Sequence, residues 1–155
     1  MRLVVLGAGT QEDEIRQLAA EHPQRVSFLG HVSHAEVGRY IAMFDYSYVG
    51  LASAANNAWA APSKIPSLFA CGKPILGCLV GDSASLVQGS GAGMVVEPED
   101  DAAMNAVLMD LGQAGRPEAR RLGQVARDFY ERVMSAAVCI DRVEQILCDA
   151  VGETS

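Results

Sequence analysis

Short apolar runs alternate along the chain with segments whose apolar residues recur at helical spacing. The first run, Leu3 to Leu6, is continuously apolar and stops at Gly7-Ala8-Gly9, which is typical of a buried strand followed by a tight turn. Four more strands are predicted, over Val26 to Leu29, Tyr46 to Val49, Pro74 to Leu79 and Gly93 to Glu97. Because amphipathic segments separate these strands, the pattern favours an α/β domain with a parallel sheet.

The intervening helices are predicted from capping residues and from apolar side chains three or four residues apart. The predicted capping residues are, in chain order, Thr10, Ser33, Ser63, Asp82 or Ser83, and Asp100 or Asp101. Gly112 is expected to end the helix after the fifth strand, and two amphipathic helices follow it. The segment from Gly50 to Ala61, which contains the single tryptophan Trp59, is small, polar and predicted to be irregular.

The stretch from Pro62 to Pro74 predicts one short helix. Ser63 is expected to cap it through its hydroxyl, and Pro66 is tolerated because it falls in the first turn. The apolar residues that form its buried stripe are Ile65, Leu68 and Phe69. Gly72 supplies the left-handed residue that ends the helix.

Lys64 lies in the first turn of this predicted helix, where a cation is mildly unfavourable and no acidic residue is near. A helix N-terminus attracts anions through its free N–H groups, so a lysine beside it fits a phosphate site. The alternative is an ordinary solvated lysine. From the residues of this helix, both interpretations stay open.

Composition and charge narrow the class of protein. The chain has 155 residues, half of them apolar, which predicts a single globular domain. Its formal net charge of −7 argues against nucleic acid or an anionic membrane as a non-specific partner. The four cysteines have no metal-ligand spacing and are predicted to be buried free thiols in a reducing compartment. Because the apolar start, Leu3 to Leu6, is too short for the core of a signal peptide, we expect a cytoplasmic protein without a membrane span.

Three kinds of site are disfavoured. A dinucleotide site at Gly7-Ala8-Gly9 lacks the third glycine, because Glu12 stands there and opens an acidic first turn with Asp13 and Glu14. A receiver domain would need an aspartate and a lysine where Gly50 and Glu97 stand. No nucleophile triad can be assembled, and His31 is interpreted either as an exposed loop residue or as a ligand contact.

Four motifs along the chain form a characteristic combination. The most specific is Pro62-Ser63-Lys64-Ile65 followed by Phe69-Ala70-Cys71-Gly72-Lys73-Pro74. The others, in chain order, are Leu6-Gly7-Ala8-Gly9, Val26-Ser27-Phe28-Leu29-Gly30-His31-Val32 and Ser90-Gly91-Ala92-Gly93-Met94-Val95-Val96-Glu97-Pro98. In this order and spacing the motifs resemble the donor domain of family 4 GT-B glycosyltransferases, in the bacterial surface-polysaccharide branch, and the resemblance covers nearly the whole chain.

The resemblance implies a site for a nucleotide diphosphate sugar carrying UDP, GDP or dTDP, with neither metal nor cofactor. Its expected contact residues are Gly9, Gly30, His31, Val32, Ser63, Lys64, Ile65 and Ser67. The base is expected near Gly30 to Val32, and the diphosphate over Ser63 and Lys64. Lys64 is the expected catalytic group, because its charge would stabilise the diphosphate leaving group.

Two departures from the family pattern qualify this expectation. The family's pair of glutamates, the second of which binds the ribose, is replaced by Trp59 and Ser67. The family's acceptor domain, and the first strand and helix of its donor domain, have no counterpart in residues 1–155, which leaves a Rossmann-like sheet in the order 2-1-3-4-5.

We therefore expect residues 1–155 to form one donor-binding domain, half of a GT-B enzyme. The whole enzyme would be a retaining glycosyltransferase of the hexosyltransferase type. It would transfer the sugar to a polysaccharide or lipid-linked acceptor, and the enzyme would be peripheral to the inner membrane. The isolated chain is expected to be inactive. Its expected partner is either the missing acceptor domain or a second copy of the chain. The alternative is a diverged, non-catalytic binding module with the same fold.

Overall fold

The computed structural model describes residues 1–51 and 62–152, and the chain divides into two compact units, Met1–Ala42 and Met43–Ser155. Trp59 and nearly all of the segment predicted to be irregular lie outside the described residues. Each unit is an α/β structure with its own parallel sheet, as the alternation of strands and helices predicts.

The first unit alternates two strands with two helices. These elements are β1 (Leu3–Val5), α1 (Glu12–Glu21), β2 (Val26–Phe28) and α2 (His34–Met43), the last of which ends at the first residue of the second unit. β1 and β2 pair in parallel, with Val4 opposite Ser27. Ser33 precedes α2 as predicted, and its hydroxyl donates to the Glu36 carboxylate at 2.6 Å.

The second unit contains a three-stranded parallel sheet in the order β3-β4-β5. Its elements are β3 (Ser47–Gly50), α3 (Lys64–Ala70), β4 (Ile75–Cys78), α4 (Gly81–Gly89), β5 (Gly93–Val96), α5 (Asp101–Phe129), a π-helical turn (Tyr130–Met134) and α6 (Ala136–Gly152). In register, Gly50 lies opposite Cys78, and Cys78 lies opposite Val96. The carboxyl ends of the three strands therefore share one edge.

The core of the second unit lies between its sheet and α3, α4 and α5. Its large, fully buried apolar side chains are Phe69, Ile65, Ile75, Leu79 and Val87. The predicted apolar stripe of α3 is confirmed, because Ile65, Leu68 and Phe69 are all buried. Each such side chain contributes about 1.5–3 kcal/mol relative to an exposed one.

The C-terminal end of α3 packs closely against α5. Gly72 ends α3 with a φ of 62°, as predicted, and its carbonyl would lie 2.5 Å from a Cβ atom at Gly123. The rings of Phe69 and Phe129 meet edge to face with centroids 5.7 Å apart. The Arg127 guanidinium donates to the carbonyl of Ala70, one of the last carbonyls of α3.

The structure corrects several predicted helix ends. α1 begins one residue later than predicted, with Gln11 and not Thr10 at its N-cap. α4 begins at Gly81, and the Ser83 hydroxyl donates to the Val80 carbonyl at 3.1 Å instead of capping the helix. Asp100 is confirmed as a cap, since its carboxylate accepts from the Ala103 N–H at 2.9 Å.

Gly112 does not end a helix. α5 continues through it to a kink at Gly115, where φ is 67° and ψ is −168°. Gly115 has a positive φ, which glycine tolerates because it has no Cβ atom, and Pro117 follows, which lacks an N–H to continue the hydrogen bonding.

The predicted single sheet in the order 2-1-3-4-5 is not confirmed, because the described strands form sheets of two and three members. The pairings of β2 with β1, of β3 with β4 and of β4 with β5 are those of that order. Within residues 1–51 and 62–152, none of the helices combines the length and apolar composition needed to cross a membrane.

Two glycines of α5 provide a matched test of the α3–α5 contact. At Gly123 a Cβ atom would lie 2.5 Å from the Gly72 carbonyl oxygen, whereas at Gly112 it would meet no atom within 4 Å. We expect Gly123→Ala to destabilise the protein by about 1–3 kcal/mol through overpacking. Gly112→Ala should stabilise it by about 0.5–1 kcal/mol, because alanine favours a helix interior. Urea denaturation followed by circular dichroism measures both, and equal effects would contradict the close contact.

Candidate functional site

The helix predicted to receive a phosphate begins where expected but is not capped as expected. Lys64 is the first residue of α3, and Ser63 occupies the N-cap position. The prediction that the Ser63 hydroxyl caps the helix is wrong, because Ser63 already has helical dihedral angles of −59° and −16° and makes no capping hydrogen bond. Capping serines usually adopt extended angles, which turn the hydroxyl back toward the helix.

Lys64 is exposed at the start of α3, and the neighbouring Ile65 is buried and anchors that turn. The first turn contains no acidic residue, and in the described part of the chain no carboxylate lies within 4 Å of the ammonium group. α3 has only seven residues and therefore few aligned peptide dipoles. The positive charge at this end of the helix comes mainly from the Lys64 side chain.

The chain has a second lysine, Lys73, and the structure gives it a different role. The Lys73 ammonium is partly buried and donates to the Phe44 carbonyl at 2.8 Å. This bond joins the segment before β4 to the segment before β3. Lys73 therefore supports the fold, whereas Lys64 is exposed to solvent.

Ser67 lies one turn after Ser63 on the exposed side of α3. Its hydroxyl is 3.4 Å from the Ser63 carbonyl oxygen, which makes a long hydrogen bond to the helix itself. Ser67 also lines an open cleft of about 430 Å³ in the second unit, together with Pro66, Ala70, Tyr130, Met134 and Ala136. Ser63 and Lys64 are not among the residues that line this cleft.

The predicted contact residues of the first unit lie at the carboxyl ends of β1 and β2. The Gly7 N–H donates to the Gly30 carbonyl at 2.7 Å, which joins the two loops. Gly9 has open space around its Cα, and Gly30 has a φ of 66°. His31 is exposed and Val32 is half-buried. The structure thus brings the loop containing Gly9 next to the loop from Gly30 to Val32.

The sequence pattern did not predict a small cluster of polar side chains at the carboxyl ends of the strands in the second unit's sheet. A Cβ atom at Gly50 would lie 2.5 Å from the Tyr48 hydroxyl, so the phenol ring lies over this glycine. Partial burial and the Cys78 thiol raise the pKa of Tyr48. The Cys78 thiol is also 3.7 Å from the Glu97 carbonyl. The available signal was that all these residues stand at or next to predicted strand ends, the edge where such sheets bind ligands.

Cysteines and metal ligands add no site in the described residues. All four cysteines are free, but the prediction that they are buried is wrong: Cys78 is half-buried and the exposed ones are Cys71, Cys139 and Cys148. Across residues 1–51 and 62–152, no group of three or more His, Cys, Asp and Glu side chains is placed to hold a metal ion.

Comparison with known families gives one match by sequence. The model of the family described as "Glycosyl transferases group 1" matches residues 1–113. That range includes the loops of the first unit and the whole of α3. Among curated proteins no significant match is found.

Three solved structures illustrate the similarity in fold. AviGT4, a glycosyltransferase involved in avilamycin A biosynthesis, is 19% identical, with a TM-score of 0.65 over 93% of this chain and 41% of its own. Sucrose-phosphate synthase from Thermosynechococcus elongatus is 20% identical, with a TM-score of 0.72 over 98% of this chain and 39% of its own. Anabaena HepE, solved in complex with UDP, is 18% identical, with a TM-score of 0.71 over 96% of this chain and 41% of its own.

At these identities the likeness shows the fold, which is the Rossmann-like α/β fold of GT-B glycosyltransferases. This chain spans about two fifths of the length of each of the three structures.

The missing hydroxyl cap at Ser63 can be tested against the cap at Asp100. We expect Ser63→Ala to change the free energy of unfolding by less than about 0.5 kcal/mol, because the hydroxyl makes no capping bond. Asp100→Ala should cost about 1 kcal/mol, because it leaves the Ala103 N–H without its carboxylate partner. Denaturant unfolding of both variants measures the difference, and a Ser63→Ala cost as large as that of Asp100→Ala would show that Ser63 does cap α3.

Proposed function

The chain belongs to the glycosyl transferases group 1 family, and from this membership we propose that it binds the nucleotide diphosphate sugar donor of a retaining glycosyltransferase. The observation that carries the proposal is the family match, which contains Lys64 and both loops of the first unit. The donor would carry UDP, GDP or dTDP, and the acceptor would be a polysaccharide or a lipid-linked sugar. This activity is proposed for the cytoplasm, at the inner membrane.

Lys64 is the group proposed to bind the donor diphosphate. Its ammonium is exposed, its helix turn lacks acidic residues, and the nearby Ser63 hydroxyl is not used as a cap. As the glycosidic bond breaks, negative charge develops on the leaving diphosphate, and a fixed cation there stabilises that charge. The Ser63 hydroxyl would supply a hydrogen bond, whereas the Ile65 N–H already donates to the Pro62 carbonyl at 3.0 Å, so Ile65 would border the ligand without donating to it.

The nucleoside end is proposed to use the other family positions. The loop from Gly30 to Val32 would lie along the base, and Gly9 would allow close approach of the ligand because it has no side chain. Ser67, at the position of the family's ribose-binding glutamate, would offer one hydroxyl to the ribose.

Membership of the same family also supports the proposal that the strands form a single sheet in the order 2-1-3-4-5.

Transfer is proposed to need more than these 155 residues. Much of the rate enhancement in a group transfer comes from holding donor and acceptor together. The matched structures are more than twice as long as this chain. We therefore propose that the chain alone binds donor without turnover, and that an acceptor domain or a partner completes the enzyme.

A second candidate is a non-catalytic binding module of the same fold. Ser67 favours it, because serine lacks the carboxylate that would hold both ribose hydroxyls, and its hydroxyl is bonded to its own helix. Such a module would act through association with other chains. Nucleotide binding separates the two candidates.

The first test is calorimetry with UDP, GDP, dTDP and their sugars. For the preferred nucleotide we expect a Kd of about 10 μM to 1 mM, or about −4 to −7 kcal/mol. Lys64→Ala should weaken binding about tenfold, because it removes the cation at the diphosphate. Arg120→Ala, which removes an exposed cation of α5, is the matched control and should leave binding unchanged. Absence of heat with every nucleotide from folded protein would favour the non-catalytic module.

The second test restores the lost carboxylate. Ser67→Glu should tighten binding of the preferred nucleotide about tenfold, since a carboxylate can accept from both ribose hydroxyls. Ser67→Gln, which has the same length without the charge, should gain less. If both variants bind like the wild type while Lys64→Ala binds more weakly, the ribose lies elsewhere but the diphosphate site stands.

A further inference from the structure

The side chain of Arg127, on α5, makes several contacts at the C-terminal end of α3. Its guanidinium donates to the carbonyl of Ala70, the last residue of α3, and to the Glu131 carboxylate at 2.7 Å. The guanidinium carbon lies 5.9 Å from the centroid of the Tyr130 ring, within the range of a cation–π contact. A Cβ atom at Gly72 would lie 3.9 Å from the Cβ atom of Arg127. Because the planar guanidinium is held by three partners, its orientation is well defined.

The bond to Ala70 joins the last turn of α3 to another helix. The last carbonyls of a helix have no partner within it, and they bind other donors. In α3 the carbonyls of Ser67, Leu68 and Phe69 accept from the backbone N–H groups of residues 71–73. The Ala70 carbonyl accepts from Arg127, whose positive charge also suits the negative end of the helix dipole. Arg127 therefore fixes this turn to α5.

Ser67 belongs to this last turn, three residues before Ala70. Ala70 and Tyr130, two of the groups that contact Arg127, line the same open cleft as Ser67. Lys64 instead lies in the first turn, beside the buried Ile65. A displacement of the last turn would therefore move Ser67 more than Lys64.

We propose that Arg127 is a positioning residue of the donor site, which holds Ser67 in place for the ribose. This inference rests on the donor site proposed above. Arg127 acts through α3 and does not itself touch the donor. Without its guanidinium the Ala70 carbonyl is left to water, and the last turn of α3 gains freedom. The ligand must then order this turn again, which lowers the affinity.

A direct attraction between charges would have a different signature. Arg127 is a cation in a chain with a net charge of −7, so it could also attract a diphosphate through space. Removal of the Glu131 carboxylate separates the two effects. It should strengthen binding if charge alone matters, because an anion is lost. It should weaken binding if Arg127 positions α3, because Glu131 holds the Nε of the guanidinium.

Calorimetry with the preferred nucleotide and with inorganic pyrophosphate tests the role of Arg127. Arg127→Ala should weaken nucleotide binding about fivefold, as expected for the loss of one hydrogen bond to the ribose. It should leave pyrophosphate binding nearly unchanged, because pyrophosphate has no ribose and uses Lys64. Arg127→Lys retains a donor for the Ala70 carbonyl and should recover part of the loss. Glu131→Ala should weaken nucleotide binding about twofold.

A double-mutant cycle tests whether Arg127 acts through Ser67. Ser67→Ala alone should weaken nucleotide binding about fivefold. In the Ser67→Ala background, Arg127→Ala should cause little further loss, because the hydroxyl that it positions is already absent. Two independent contributions would instead add, giving a loss of about 25-fold for the double variant.

Arg121→Ala and Glu118→Ala are the matched controls. This bonded pair lies on α5 as well, and its removal changes the net charge in the same way. Both controls should bind nucleotide and pyrophosphate like the wild type. Circular dichroism and urea unfolding verify that every variant is folded under the conditions of the measurement.

The outcomes separate the role of Arg127 from the donor site itself. Equal losses of nucleotide and pyrophosphate binding in Arg127→Ala, additive losses in the double variant, or tighter binding by Glu131→Ala would overturn the positioning role. The donor site would still stand if Lys64→Ala weakens binding. A folded wild-type chain that binds no nucleotide would overturn the donor site, and the positioning role with it.

Discussion

The backbone contact between Gly72 and Gly123 is the constraint on which the position of α3 depends. α3 has seven residues and no hydroxyl cap, so it cannot be stable as an isolated helix. It is held by its buried stripe, by the contact of Phe69 with Phe129, and by the bond from Arg127 to its C-terminal end. Both contacts with α5 require the close approach that the two glycines permit. The exposed start of α3, with Ser63 and Lys64, is therefore positioned by the buried Ile65 beside it and by packing at the opposite end of the helix.

The two lysines of this acidic protein have different roles. The Lys73 ammonium is partly buried and donates to the Phe44 carbonyl within the fold. Lys64 leaves its charge at the surface, beside a helix turn that contains no carboxylate. In a chain with a net charge of −7, such a local positive group is what an anionic ligand would require. The donor-site proposal depends on this local charge, because a seven-residue helix contributes only a weak dipole.

The C-terminal part of the chain carries both an open cleft and an uncovered apolar face. The cleft beside Ser67 is closed on one side by Tyr130, Met134 and Ala136, which belong to the π-helical turn and the start of α6. α6 then continues from this wall with no buried residue. The wall of the cleft and the uncovered face of α6 are therefore next to each other along the chain.

The sequence by itself determined the strands, the location of α3 and some helix ends, such as those at Gly72 and Asp100, because apolar periodicity and turn residues act over a few residues. It also located Lys64, through a local motif. Tertiary structure decided what depends on contacts distant in the chain: the bond from Lys73 to Phe44, the approach of Gly72 to Gly123 and the placement of Tyr48 over Gly50 beside Cys78. It also decided that Ser63 does not cap its helix and that α6 is exposed. Periodicity predicts that a helix has an apolar face, but only the arrangement of the other elements determines whether that face is covered.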